Sequence, residues 1–105
     1  MPSIFIQQDL KDRVEKKGKD TGISPQLVSR LALQLWVNGE WDASDVPDPN
    51  PMPARAMTYE SDELMDAAFL MREKAGITIA SAIRRGLRLW VDGEWEVGLM
   101  RVRNG

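Results

Sequence analysis

The sequence predicts a mainly α-helical fold that carries a short two-stranded antiparallel ribbon and is built from two copies of one unit. Three observations predict it. The stretch TGISPQLVSRLALQLWVNGEW, residues 21–41, recurs as AGITIASAIRRGLRLWVDGEW, residues 75–95, at a constant offset of 54 and without a gap. Each copy opens on a short segment with strand character and continues through two stretches with helical patterning. Each copy is also only about forty residues long, too short to bury an adequate core alone, so the two are expected to pack on each other.

The repeat extends beyond its most obvious part. Leu10/Leu64, Asp12/Asp66, Gly22/Gly76, Ile23/Ile77, Arg30/Arg84, Leu33/Leu87, Leu35/Leu89, Trp36/Trp90, Val37/Val91, Gly39/Gly93, Glu40/Glu94 and Trp41/Trp95 are identical pairs. Two amphipathic helices matching by coincidence would not share the ending Leu-x-Leu-Trp-Val-x-Gly-Glu-Trp. The chain divides into repeat 1 (1–41), a proline-rich linker (42–55), repeat 2 (56–95) and a C-terminal tail (96–105).

In repeat 1, Ile4 and Ile6 alternate with Ser3, Phe5 and Gln7, which predicts a short strand that needs a partner. Residues 9–20 predict a helix. Asp9 and Asp12 fall in its first turn and Lys16, Lys17 and Lys19 near its end, as the macrodipole favours. Its apolar face is thin: Leu10, Val14, then Gly18, where a close helix contact would explain the glycine. Gly22 supplies a left-handed stop. Ser24-Pro25 starts a second helix: serine caps, and proline tolerates the first position because its missing N–H would be unpaired there anyway. That helix runs to about Val37 and ends at Asn38-Gly39.

Prolines at 47, 49, 51 and 53 forbid helix in the linker and favour an extended, stiff spacer. Repeat 2 follows the same order. Residues 56–60 are the candidate strand, Ser61 caps a helix over 62–74, and Leu64, Ala67, Ala68, Met71 and Ala75 share one face. Gly76 stops that helix, and Thr78 caps a last one ending at Asp92-Gly93. The tail reads as a strand or a basic arm.

The 105 residues carry a formal charge of −2, with neither cysteine nor histidine. Disulfides, thiol catalysis, Cys/His zinc sites and histidine acid–base chemistry are excluded. Charge alone does not draw this chain to nucleic acid, although a local basic face is compatible with it. The acidic residues form no cluster with catalytic logic, so no enzyme, metal or cofactor is expected. No apolar run approaches eighteen residues and no signal-peptide pattern follows Met1, so a soluble cytoplasmic protein with no membrane partner is expected.

Strand, helix, a Gly-x-Ser/Thr turn, then a helix carrying Arg-x-small-Leu is an order and spacing that resembles the ribbon-helix-helix family, the Arc/MetJ-type DNA-binding proteins. The residues that carry the resemblance are Ile4, Ile6, Leu10, Val14, Gly22, Ser24, Val28, Arg30, Ala32 and Leu33 in repeat 1. In repeat 2 they are Leu64, Ala68, Gly76, Thr78, Ala82, Ile83, Arg84, Gly86 and Leu87. The resemblance implies a tandem ribbon-helix-helix pseudo-dimer in one chain, similar to TraY-like members, with the two strands paired and the four helices intertwined. It further implies double-stranded DNA as partner, a ribbon reading the major groove, phosphates held at second-helix N-termini, and a transcriptional repressor as function. Size changes at Val28/Ala82 and Ser29/Ile83, with Ala32/Gly86 both small, fit two unlike halves packed face to face.

On that resemblance the nucleic-acid-binding candidates are Ser3, Phe5 and Gln7 on the first strand, Thr58 on the second, Ser24 and Thr78 as phosphate anchors, and Lys19 and Lys74, together with Lys17 and Arg72, as cations that add charge where they project to the same side. Gln7 can bond bidentately to adenine, and Phe5 can contact a thymine methyl. The direct repeat offset would bury Glu60, which is costly without a partner. A one-residue slip buries Met57 and Tyr59 instead and is preferred. Neither register is expected to put arginine or lysine in the ribbon, which feeds the alternative of a protein-interaction module, an antitoxin or inhibitor subunit that does not bind DNA.

Two further sets stand out. Trp36, Trp41, Trp90 and Trp95 repeat in register and are expected to pack over helix ends. Leu27, Leu31 and Leu35 form a stripe whose counterparts are Ser81, Arg85 and Leu89. Ser81 and Arg85 are expected to face solvent, which puts Leu27 and Leu31 outside the core. The stripe is then covered by the tail or, as preferred here, by another molecule: self-association or a protein partner.

Overall fold

The computed structural model describes residues 3–41, 46–48, 52, 54–58 and 64–96. The order is β1 (Ser3–Gln7), α1 (Gln8–Thr21), α2 (Pro25–Val37), β2 (Ala54–Thr58), α3 (Leu64–Ala75) and α4 (Ile79–Val91). This is a mainly helical molecule with four helices and one short two-stranded antiparallel sheet.

β1 pairs with β2 in the register Ser3–Thr58, Ile4–Met57, Phe5–Ala56, Ile6–Arg55 and Gln7–Ala54. Alternation turns Ile4, Ile6 and Met57 onto the helices, where all three are buried. Met57 therefore takes the position the one-residue slip requires; Tyr59 and Glu60 lie outside the described residues. The second strand starts at Ala54 rather than at 56. It thus takes in the last two residues assigned to the linker and puts Arg55 in the ribbon, contrary to the expectation of none. A strand this short is delimited by its partner, and β1 offers pairing positions as far as Gln7.

α1 ends at Gly22, with φ 74°. The turn folds back, so that Ile23 N–H bonds to Gly18 O at 2.9 Å. A Cβ on Gly18 would lie 2.6 Å from the Ile23 carbonyl oxygen. The glycine at 18 makes room for its own turn and not, as expected, for another helix. Ser24 Oγ accepts from Leu27 N–H at 3.2 Å, and Thr78 Oγ1 accepts from Ser81 N–H at 3.1 Å, so both residues cap as their types predict. In α3, Leu64 and Ala68 are buried, but Ala75, placed on the same face by periodicity, is exposed at the helix end. Residues 61–63, with the expected Ser61 cap, lie outside the described part.

α2 and α4 pack across Ala32 and Gly86: a Cβ on Gly86 would come 2.7 Å from that of Ala32. Trp41 Nε1 donates to Ala32 O at 3.3 Å, and Trp95 Nε1 donates to Gly86 O at 3.0 Å. These bonds join repeat-equivalent positions. Trp36–Trp41 and Trp90–Trp95 are tilted ring pairs with centroids 6.4 Å apart in each case. The tryptophans thus close the helix ends, with Trp36 and Trp90 fully buried.

One apolar cluster takes residues from both strands and all four helices, including Ile6, Val14, Val28, Leu33, Ala68, Ile83 and Leu87. Burying each large member is worth about 1.5–3 kcal/mol. Leu27, Leu31 and Leu35 are not part of it.

Candidate nucleic-acid interface

The face of the ribbon turned away from the core presents Phe5, 65 % exposed, with Gln7 half-buried beside it on β1 and Ala56 exposed on β2. Phe5 lies opposite Ala56 in the register. Backbone pairing sets Ser3 against Thr58; the side chains of both lie outside the described part of the structure. Arg55 has the parity of Met57, so it belongs to the helix-side row, and it is exposed at the ribbon's end. Among the described residues the outward row carries no charge.

The two second-helix N-termini each border a shallow depression, and the two depressions are repeat-equivalent. One is lined by Glu15, Gly18, Lys19, Gly22, Ile23, Ser24 and Pro25. The other is lined by Phe69, Arg72, Glu73, Gly76, Ile77 and Thr78. Lys19 thus borders the same depression as Ser24. Of the two cations expected near Thr78, Arg72 lines the depression and Lys74 does not; the repeat counterpart of Lys19 is Glu73. Helix N-termini attract anions through unpaired N–H groups and the macrodipole. Pro25 removes one such donor from the first depression.

Lys17 does not reach this side. Its ammonium donates to the carbonyl of Trp90 and to Glu96 Oε1 at 2.6 Å, and stands 4.7 Å from the Trp90 ring centroid. A cation at the C-terminal end of α4 is favoured by that helix's dipole. Nearby, Asp92 accepts from Arg13 and Arg88, each at 3.0 Å.

The linker is more than a spacer. Asp48 accepts from Ser81 Oγ, Arg84 Nε and Arg84 Nη2, each at 2.9 Å, while Arg84 Nη1 donates to the Phe5 carbonyl at 3.1 Å. Partial burial pushes the Asp48 carboxyl up, but the hydrogen bonds from Arg84 and Ser81 and the Arg84 and Arg85 charges outweigh that, holding it below the ordinary aspartate range. Ser81 is consequently buried, at 6 % exposure, and not solvent-facing as its type suggested. Arg85 is partly exposed, with a buried Nε. Sequence reasoning missed this cluster. Its one signal was a lone carboxylate held between Pro47 and Pro49.

Leu27 is 36 % exposed, and Leu31 and Leu35 are partly exposed. A second apolar pair lies on α3: Phe69 at 48 % and Leu70 at 63 % exposure. Their repeat counterparts are Glu15 and Lys16. Among the described residues no group of acidic side chains could hold a metal ion, and no helix is long and apolar enough to cross a membrane. Comparison with protein-family models, curated proteins and solved structures found no match.

Proposed function

We propose that this chain is a sequence-specific DNA-binding transcriptional regulator, a cytoplasmic repressor, organised as a tandem ribbon-helix-helix pseudo-dimer. The supporting observation is the two-faced ribbon: Ile4, Ile6 and Met57 are buried beneath it while Phe5 and Gln7 stand on the opposite face. A two-stranded ribbon fits the major groove, where Gln7 offers a bidentate partner for adenine. The depressions at Ser24 and Thr78 are where the phosphates on either side would sit, with Lys19 and Arg72 adding charge.

The test is binding to duplex DNA across a salt series, comparing a sequence selected by the wild-type chain with a mixed-sequence duplex. Gln7→Ala is expected to lower discrimination by about 1–3 kcal/mol. Lys19→Ala is expected to weaken binding to both duplexes and flatten the salt slope. No binding to any duplex at low salt would defeat this reading.

The uncharged outward row of the ribbon and the exposed Phe69–Leu70 pair favour a second reading, a protein-interaction module such as an antitoxin or inhibitor subunit. In that case Phe69→Glu with Leu70→Lys, which copies repeat 1 into repeat 2, abolishes partner binding and leaves the fold intact.

A further inference from the structure

The two repeats differ where the linker meets α4. Ser81 and Arg84 stand one turn apart on that helix and grip Asp48 through three hydrogen bonds. Repeat 1 retains the arginine, as Arg30, but has Leu27 in place of the serine, so it lacks the hydroxyl that completes the grip. The third guanidinium nitrogen, Arg84 Nη1, reaches the backbone carbonyl of Phe5. A planar guanidinium held on two of its nitrogens by one carboxylate has little freedom left for the third. The position of Asp48 is thereby transmitted to β1 at the residue between Ile4 and Ile6. Arg84 is well shielded, its side chain 12 % exposed, whereas Asp48 is 30 % exposed.

We propose that Asp48, Ser81 and Arg84 form a positioning clamp that fixes β1 against α4, and so sets base discrimination by Phe5 and Gln7 without touching DNA. This rests on the DNA-binding reading above. Groups that must meet base edges in the groove have to be held to a fraction of an ångström, and a supporting layer of hydrogen bonds does that.

The experiment has two arms on the full chain, wild type and Asp48→Ala. In the first, amide hydrogen exchange is followed at residues 3–7 without DNA. Faster exchange there, with far-UV circular dichroism retained, is expected; unchanged exchange overturns the clamp whatever the DNA results. In the second, affinity is measured for a duplex selected by the wild type from a random pool and for a mixed-sequence duplex. The ratio of the two is expected to fall by about tenfold, within the worth of one bidentate base contact, while mixed-sequence binding is not weakened. A proportionate loss on both duplexes reduces Asp48 to general stability and overturns the positioning role. A proportionate gain on both makes Asp48 an electrostatic block and overturns it equally. If the wild type binds no duplex while exchange still accelerates, the proposed function has failed, and the base-reading half of this inference falls with it. Should Asp48→Ala not fold, Arg84→Lys, which keeps the charge but not the planar fork, carries both arms.

Discussion

Gly18 sits inside α1, where exchanging glycine for alanine would ordinarily stabilise a helix by about 1 kcal/mol. Here the added Cβ would come 2.6 Å from a backbone carbonyl, that of Ile23. Backbone cannot swing aside as the end of a flexible side chain can, so Gly18→Ala is expected to lower Tm, and a raised Tm would contradict the tight turn. Asp48 makes a second prediction at this scale. Its folded pKa is depressed, so its contribution to stability is fully present above the ordinary aspartate range and is lost as pH falls through the lowered value. Wild type and Asp48→Asn should therefore differ in Tm at neutral pH and converge in strong acid. A gap that persists there would mean the aspartate stabilises by something other than its charge. Thermal melts over a pH series decide it.

Among the elements, the packing of α2 on α4 is governed by two small residues. Because the Gly86 Cα lies so close to Ala32, a methyl group at 86 overfills the contact, and such overpacking costs about 1–3 kcal/mol. Gly86→Ala is therefore expected to destabilise, and adding Ala32→Gly is expected to recover part of the loss by conserving volume. Recovery stays partial because the Trp41 ring, 3.2 Å from the added methyl, is not moved by the second change. Chemical denaturation of the three variants reads this directly, and simple additivity of the two substitutions would rule out the contact. The equivalent Trp41–Ala32 and Trp95–Gly86 bonds flank the same crossing, so each second helix is closed by an indole from its own repeat.

For the molecule as a whole, the apolar cluster draws on both repeats, and a unit of about forty residues is ordinarily too short to bury an adequate core of its own. A fragment of residues 1–41 is expected to be unfolded, or to fold only by associating, with a Tm that rises with concentration; the full chain should melt independently of concentration. A 1–41 fragment that stays monomeric and unfolds cooperatively would refute this. By itself the sequence determined the duplication, the helix starts at Ser24 and Thr78, the stops at Gly22 and Gly76, the inward Ile4 and Ile6, and the small Ala32/Gly86 pair. All of these rest on local chemistry: capping hydroxyls, freedom at positive φ, and apolar periodicity. The sequence also pointed, through the cost of burying Glu60, to the register that puts Met57 inside. Tertiary structure alone decided what depends on distant partners. β2 begins at Ala54 because β1 sets the pairing length. Lys17 turns to the Trp90 end of α4, and Ser81 is buried because a linker carboxylate closes over it. Residue type and spacing along one chain cannot specify such contacts, since each is fixed by where another segment, 33 to 79 positions away in the hydrogen-bonded cases, comes to rest.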